Sequence, residues 1–110
     1  MNYSLSFLNA VEDDSFEAFL WYEKKSMGLG EEFLRIFYAC AGDLQKNPLV
    51  YTKVYKDFRR RLLKRFPYAI YYRIEKRTIV IYGLFHCARN PVTFETALGD
   101  RQKNKPLKRL

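Results

Sequence analysis

FRRRLLKRFPYAIYYRIEKRTIVIYGLFHCARNP, residues 58–91, decides the fold. It holds three runs rich in aromatic and β-branched residues, each bounded by a turn signal. The first strand lies within about 54–65, the second over 68–75 after the turn at Phe66-Pro67, and the third over 78–87 after the charged turn Lys76-Arg77. Connections this short join consecutive strands into an antiparallel meander. The same stretch carries six Arg or Lys between Arg59 and Arg73, and ends in the only histidine of the chain, His86, with Arg89 and Pro91 just beyond.

Upstream, YSLSFL at 3–8 alternates polar and apolar residues and reads as a short first strand. A helix follows over about 10–26, with its acids early and its lysines late, as the helix dipole favours. Phe16, Ala18, Phe19 and Tyr22 give it helical spacing, and Gly28 is a natural C-cap. A second helix fills about 31–46, where Phe33, Ile36, Phe37, Cys40 and Leu44 form an apolar stripe that Asn47-Pro48 stops. The short link makes the pair an antiparallel helical hairpin.

The expected class is therefore α+β. An N-terminal strand and an antiparallel helical hairpin precede a three-stranded antiparallel meander, the hairpin covers one face of a four-stranded sheet, and the other face stays at least partly open. One domain accounts for 1–98, including a short helix near 92–98, and the basic segment RQKNKPLKRL falls in a frayed tail, 99–110.

Charge is segregated along the chain. Residues 1–50 carry four Lys or Arg against eight Asp or Glu, and residues 51–110 carry sixteen against four, so the halves stand at −4 and +12 within a net charge of +8. That asymmetry points to nucleic acid, a nucleoprotein or an acidic protein partner. Cys40 and Cys87 have no metal-ligand spacing and read as two buried free thiols in a reducing cytoplasm. No secretory signal is apparent, and no apolar stretch approaches the about 20 residues that span a bilayer. No nucleotide-binding, serine-hydrolase or zinc-hydrolase motif occurs, so neither a metal, a small-molecule cofactor nor a membrane is expected.

The candidate site lies on the meander. Alternation places Arg59, Arg61, Leu63 and Arg65 on one face and Arg60, Leu62, Lys64 and Phe66 on the other. These arginines are either charges protecting an edge or a row contacting phosphates. Tyr71 and Arg73 share a face on which a base could stack, although strand aromatics are more often packing. His86 is the one side chain with an ordinary pKa near neutrality, and beside Arg89 it is a candidate acid or base. Its alternative is a histidine that fixes the junction of strand and loop.

WYEKKSMGLGEEF at 21–33, the NP of 47–48, Arg59–Arg61, KRFPYAIYYRI at 64–74 and LFHCARNP at 84–91, in this order, resemble the RelE/ParE superfamily of bacterial type II toxins. The resemblance covers almost all of residues 3–91 and is nearer the ParE branch at HCARNP. It implies a plasmid-stabilisation or toxin–antitoxin module, a cytoplasmic toxin that arrests growth, and a cognate antitoxin whose acidic segment wraps it. It also implies a target. ParE-like members inhibit DNA gyrase, which is the first reading here. RelE-like members cut mRNA on the ribosome with lysines and arginines of the central strands plus a late Arg and a Tyr or His. On that pattern Arg60 stands near one lysine position and Arg89 at the late arginine, while Leu62 and Ala69 occupy basic positions and His86 replaces the absent tyrosine. An endoribonuclease is thus the alternative, an inactive homologue retaining antitoxin binding is a third reading, and whether the chain is an enzyme stays open.

Overall fold

The computed structural model describes residues 2–88 and 93–103, together with the backbone of 107–109. In chain order the elements are β1 (Ser4–Leu8), α1 (Asn9–Lys25), α2 (Leu29–Asp43), β2 (Lys53–Tyr55), β3 (Phe58–Leu62), β4 (Tyr68–Glu75), β5 (Thr78–His86), α3 (Phe94–Lys103) and β6 (Leu107–Arg109). Among the described residues the strands make one sheet in the order β2-β3-β4-β5-β1-β6. The expected strand, hairpin and meander are all present, and the α+β class stands.

The hairpin forms because each helix has one apolar row. Val11, Ser15, Ala18 and Tyr22 are buried on α1, and Phe33, Phe37 and Cys40 on α2, with Leu44 just beyond its end. Between the helices Gly28 adopts φ +86°, a left-handed conformation that glycine takes without steric cost. Gly28 is the N-cap of α2 rather than the C-cap of α1. The Glu23 carboxylate accepts the amides of Gly28 and Gly30, each at 2.9 Å, so α1 supplies the side-chain cap for the orphan donors of α2. A Cβ on Gly30 would lie 2.6 Å from the carbonyl oxygen of Phe19, so the helices cross too closely there for any larger residue.

The hairpin packs on one face of the sheet through aromatic rings. Tyr22 and Phe33 meet Phe66 and Tyr68 with ring centroids 4.8 to 6.1 Å apart, mostly edge to face. Phe7 of β1 meets Phe37. β1 runs parallel to β5, with Leu5 opposite Ile79, because the hairpin between β1 and the meander returns the chain to the same end of the sheet. A bulge between Tyr71 and Tyr72 breaks the β4–β5 register.

Four further expectations change. The sheet has six strands rather than four, since the short β2 and β6 extend its two edges. The described residues past 98 belong to elements: α3 crosses the expected tail boundary to Lys103, and β6 pairs antiparallel with β1. Leu98 is fully buried, and the guanidinium of Arg101 donates to Asp14 Oδ2 at 2.6 Å, Asp14 Oδ1 at 2.9 Å and the Tyr82 carbonyl at 2.8 Å, which ties α3 to the fold. Cys87 is exposed while Cys40 is buried, because β5 ends one residue earlier than Cys87. Phe16 is 59% exposed, because the row facing the sheet runs through Ser15 and Ala18 instead. No helix among the described residues is long and apolar enough to cross a membrane.

Candidate functional site

The arginine row of β3 is divided by strand alternation, and each half meets different surroundings. Arg59 donates to the carbonyls of Leu49 at 3.2 Å and Tyr51 at 2.7 Å. Arg61 is 7% exposed and donates to the Cys40 carbonyl at 2.8 Å, with Asp43 at 3.6 Å and the Tyr51 ring beneath its guanidinium. Both arginines join β3 to the end of α2 and the segment that follows it. Tyr72, opposite Arg59 in the ladder, donates its buried hydroxyl to the Pro48 carbonyl, and burial pushes its pKa up.

Arg60 stands on the other face, exposed, opposite Tyr71. Its guanidinium donates to the Tyr71 hydroxyl. Burial raises the pKa of that hydroxyl and Arg60 partly offsets the rise. Tyr71 itself is only 4% exposed, stacked on Phe94 of α3 at 4.9 Å and leaning on Phe85. The face expected to be open for base stacking is therefore covered over Tyr71 by α3. Arg73 lies over the Phe58 ring, with Nε buried and 3.4 Å from Glu75 Oε2 but not aligned for a hydrogen bond. Arg65 sits in the β3–β4 connection at φ +71° and pairs with Glu32 of α2.

His86 lies elsewhere. It is opposite Tyr68 in the β4–β5 ladder, with their rings 5.2 Å apart, and Tyr68 packs against the hairpin. Tyr68 and Tyr71 are three residues apart on one strand, so His86 and Arg60 project from opposite faces of the sheet. His86 Nδ1 accepts the Ala88 amide at 2.9 Å, which fixes the turn after β5. Beside it a groove of about 680 Å³ runs between α1 and α3, lined among others by Asp13, Asp14, Glu17 and Asp100 with Trp21 and His86. Arg101 also lines it but is paired with Asp14, so the three other carboxylates leave the groove net acidic, a place for a cation rather than a phosphate. Arg89 lies outside the described residues, as do Asn90 and Pro91.

No family model matches the chain. Toxin ParE2 of Mycobacterium tuberculosis, in both strain CDC 1551 and strain H37Rv, is 29% identical to it over 94 residues, which is 84% of this chain and 90% of that toxin. A solved structure described as the chromosomal ParDE TA system from P. aeruginosa superposes with a TM-score of 0.66 at 17% identity, over 76% of this chain and 95% of that one, and so supports the fold. Together these likenesses support a RelE/ParE-type toxin.

In this chain the positions that are basic in the RelE-like pattern are poorly furnished. Leu62 is 59% exposed and Ala69 is fully buried. Of the six cations between Arg59 and Arg73, five have protein partners: Arg59, Arg60, Arg61, Arg65 and Arg73. Sequence patterning does not single out Asp14 and Arg101, which bind each other across 87 positions and shape the groove beside His86. Nor does it single out the outward side of α1, where Phe16, Leu20 and Trp21 are exposed. The spacing of Phe16 and Leu20, four apart on a helix that buries a different row, is the signal that marks it.

Proposed function

We propose that this RelE/ParE-type toxin arrests growth by binding DNA gyrase, without itself cutting nucleic acid. It acts as the toxin of a type II toxin–antitoxin module with a cognate antitoxin as its partner. A target of this kind places its action in the cytoplasm. The observation that carries the non-nuclease reading is the separation of His86 from Arg60 by the thickness of the sheet. Cleavage of an RNA phosphodiester by its own 2′-hydroxyl needs a base, an acid and cationic stabilisation around one phosphate. His86 instead lines a groove shared with Asp13, Glu17 and Asp100 and with the Asp14–Arg101 pair, a net-acidic place that repels a phosphate, and Arg60 is paired to a tyrosine under α3. The resemblance of HCARNP to the ParE branch supports gyrase as the target.

The test uses purified, antitoxin-free toxin in two assays. Gyrase supercoiling is expected to fall at micromolar toxin, and to fall equally with His86→Ala. Primer extension on programmed ribosomes is expected to show intact mRNA. Codon-phased cuts that vanish in Arg89→Ala would replace this proposal with the ribosome-dependent endoribonuclease. A folded protein inert in both assays would be the inactive homologue that keeps only antitoxin binding.

A further inference from the structure

α1 presents two adjoining rows of exposed side chains, Glu12, Phe16, Leu20 and Lys24 in one and Asp13, Glu17, Trp21 and Lys25 in the other. Residues four apart on a helix stand one above the next, so each row runs along the helix axis. The three apolar members are 59%, 42% and 44% exposed for Phe16, Leu20 and Trp21. They are not part of the core-facing set, because the same helix already buries Val11, Ala18 and Tyr22 against the fold. Three large apolar side chains grouped on one helix face and bounded by charge mark a contact surface.

The order of chemistry along the rows selects the partner. Both begin with acids and end with lysine, and the apolar side chains lie between. The dipole of α1 accounts for acids early and lysines late. It gives no reason for the aromatic and leucine side chains to lie exposed between them. A two-fold rotation perpendicular to the helix maps the acidic end onto the basic end and Phe16 onto Trp21. That self-complementarity is what an isologous interface requires. A partner presenting an acidic segment would meet Glu12, Asp13 and Glu17 with like charge. Such a segment fits the +12 half of the chain instead.

We infer that the outward face of α1 is the interface of an antiparallel two-fold homodimer of this chain. With the axis between residues 18 and 19, Phe16 faces Trp21 of the partner subunit, and Asp13 faces Lys24 of the partner subunit. Seventeen residues of helix span about 26 Å. One helix pair of that length buries less than the about 1,600 Å² of a standard interface, so the dimer is weak and salt-sensitive. Asp13, Glu17 and Trp21 also line the groove at His86, so dimerisation narrows the mouth of that groove.

Sedimentation of the full chain tests this from about 1 µM to about 200 µM, the range suited to a contact below standard size. The average mass is expected to rise from 13.2 kDa toward twice that value at low salt. Leu20→Asp, at an exposed position, is expected to stay monomeric with unchanged circular dichroism. Lys24→Glu with Lys25→Glu is expected to weaken association at least about tenfold, a modest loss for reversing close charge pairs. Adding Glu12→Lys and Asp13→Lys to that same chain is expected to restore it, because Lys25→Glu then faces Glu12→Lys, Lys24→Glu faces Asp13→Lys, and antiparallel pairing again opposes unlike charges. Thermal melts check that each variant is folded. A wild type that is monomeric throughout overturns the inference, as does a dimer indifferent to Leu20→Asp or to the charge reversal. A monomeric wild type whose antitoxin binding is abolished by Leu20→Asp would assign the face to the antitoxin instead. None of these outcomes depends on which target the toxin has.

Discussion

Arg61 holds a charge almost wholly inside the protein, and its neighbour Arg60 holds one outside. The sequence places the two on opposite strand faces by alternation alone, and the structure keeps that assignment. What alternation does not carry is the covering of the Arg61 face by Cys40 and Tyr51, which arrive from the end of α2 and the segment after it. A row of three arginines therefore reads as a binding stripe although two of its members are structural. Removing Arg61 leaves the Cys40 carbonyl without this donor and Asp43 with Lys46 as its remaining cation. Arg61→Ala is expected to cost about 2–3 kcal/mol, read as a lowered urea midpoint with unchanged slope. Arg61→Lys should recover little of that, since a point charge does not reproduce a fork of donors. Arg60→Ala should leave the midpoint where it is. Equal midpoints for Arg61→Ala and wild type would mean that the buried guanidinium contributes nothing. His86 shows the same limit on sequence reading. Its place at a strand end was legible, but the carboxylates around it come from α1 and α3, and no local pattern brings them there.

At the scale of elements, the meander and the hairpin were legible because their signals are local. Phe66-Pro67, Lys76-Arg77 and Asn47-Pro48 punctuate them, and the apolar rows of α1 and α2 have helical period. α3 was legible only as a short helix, since Leu98 is its one fully buried apolar anchor and the rest of its attachment is polar and distant. Asp14 does three things at once there. Its carboxylate accepts the Leu84 amide at 3.0 Å and both terminal nitrogens of Arg101. The pair is mostly buried, with side chains 11% and 20% exposed. Loss of one partner strands the other charge, which is costlier than loss of the pair. Asp14→Ala and Arg101→Ala are each expected to cost about 2–4 kcal/mol, and a double-mutant cycle should show coupling above about 1 kcal/mol. Exchange of the Leu84 amide should accelerate in Asp14→Ala and less so in Arg101→Ala, because only the first removes its acceptor. Strict additivity of the two substitutions would show that α3 is held by Leu98 and Phe94 without the ion pair.

At the scale of the whole molecule, the sequence shows +12 on its second half, but the structure determines how much of that charge a partner meets. Arg59, Arg61, Arg73 and Arg101 are committed to internal carbonyls, carboxylates and rings. Lys56, Arg60, Lys64, Arg65, Lys76 and Arg77 remain on the surface. Lys56 and Lys76 both occupy strand-connecting turns, each at positive φ, which sets them at the same end of the meander. With a radius of gyration of 13.3 Å the molecule is comparable in size to the about 10 Å Debye length at 0.1 M salt, so charges on one side act on an approaching partner together. If the antitoxin presents an acidic segment to this half, association is electrostatically steered, and steering appears in the on-rate and in its salt dependence. Lys56→Gln with Lys76→Gln is expected to slow antitoxin association and to flatten its decline between about 50 mM and about 500 mM salt, with the off-rate little changed. Arg35→Gln with Lys46→Gln removes the same formal charge from the hairpin side, where each side chain already sits near its own carboxylate, and should leave both rate and slope unchanged. Stopped-flow association of the two double variants separates the alternatives. Equal slopes would mean that net charge alone guides the encounter, whereas a slope that falls only for the turn lysines would locate the docking surface at that end of the meander.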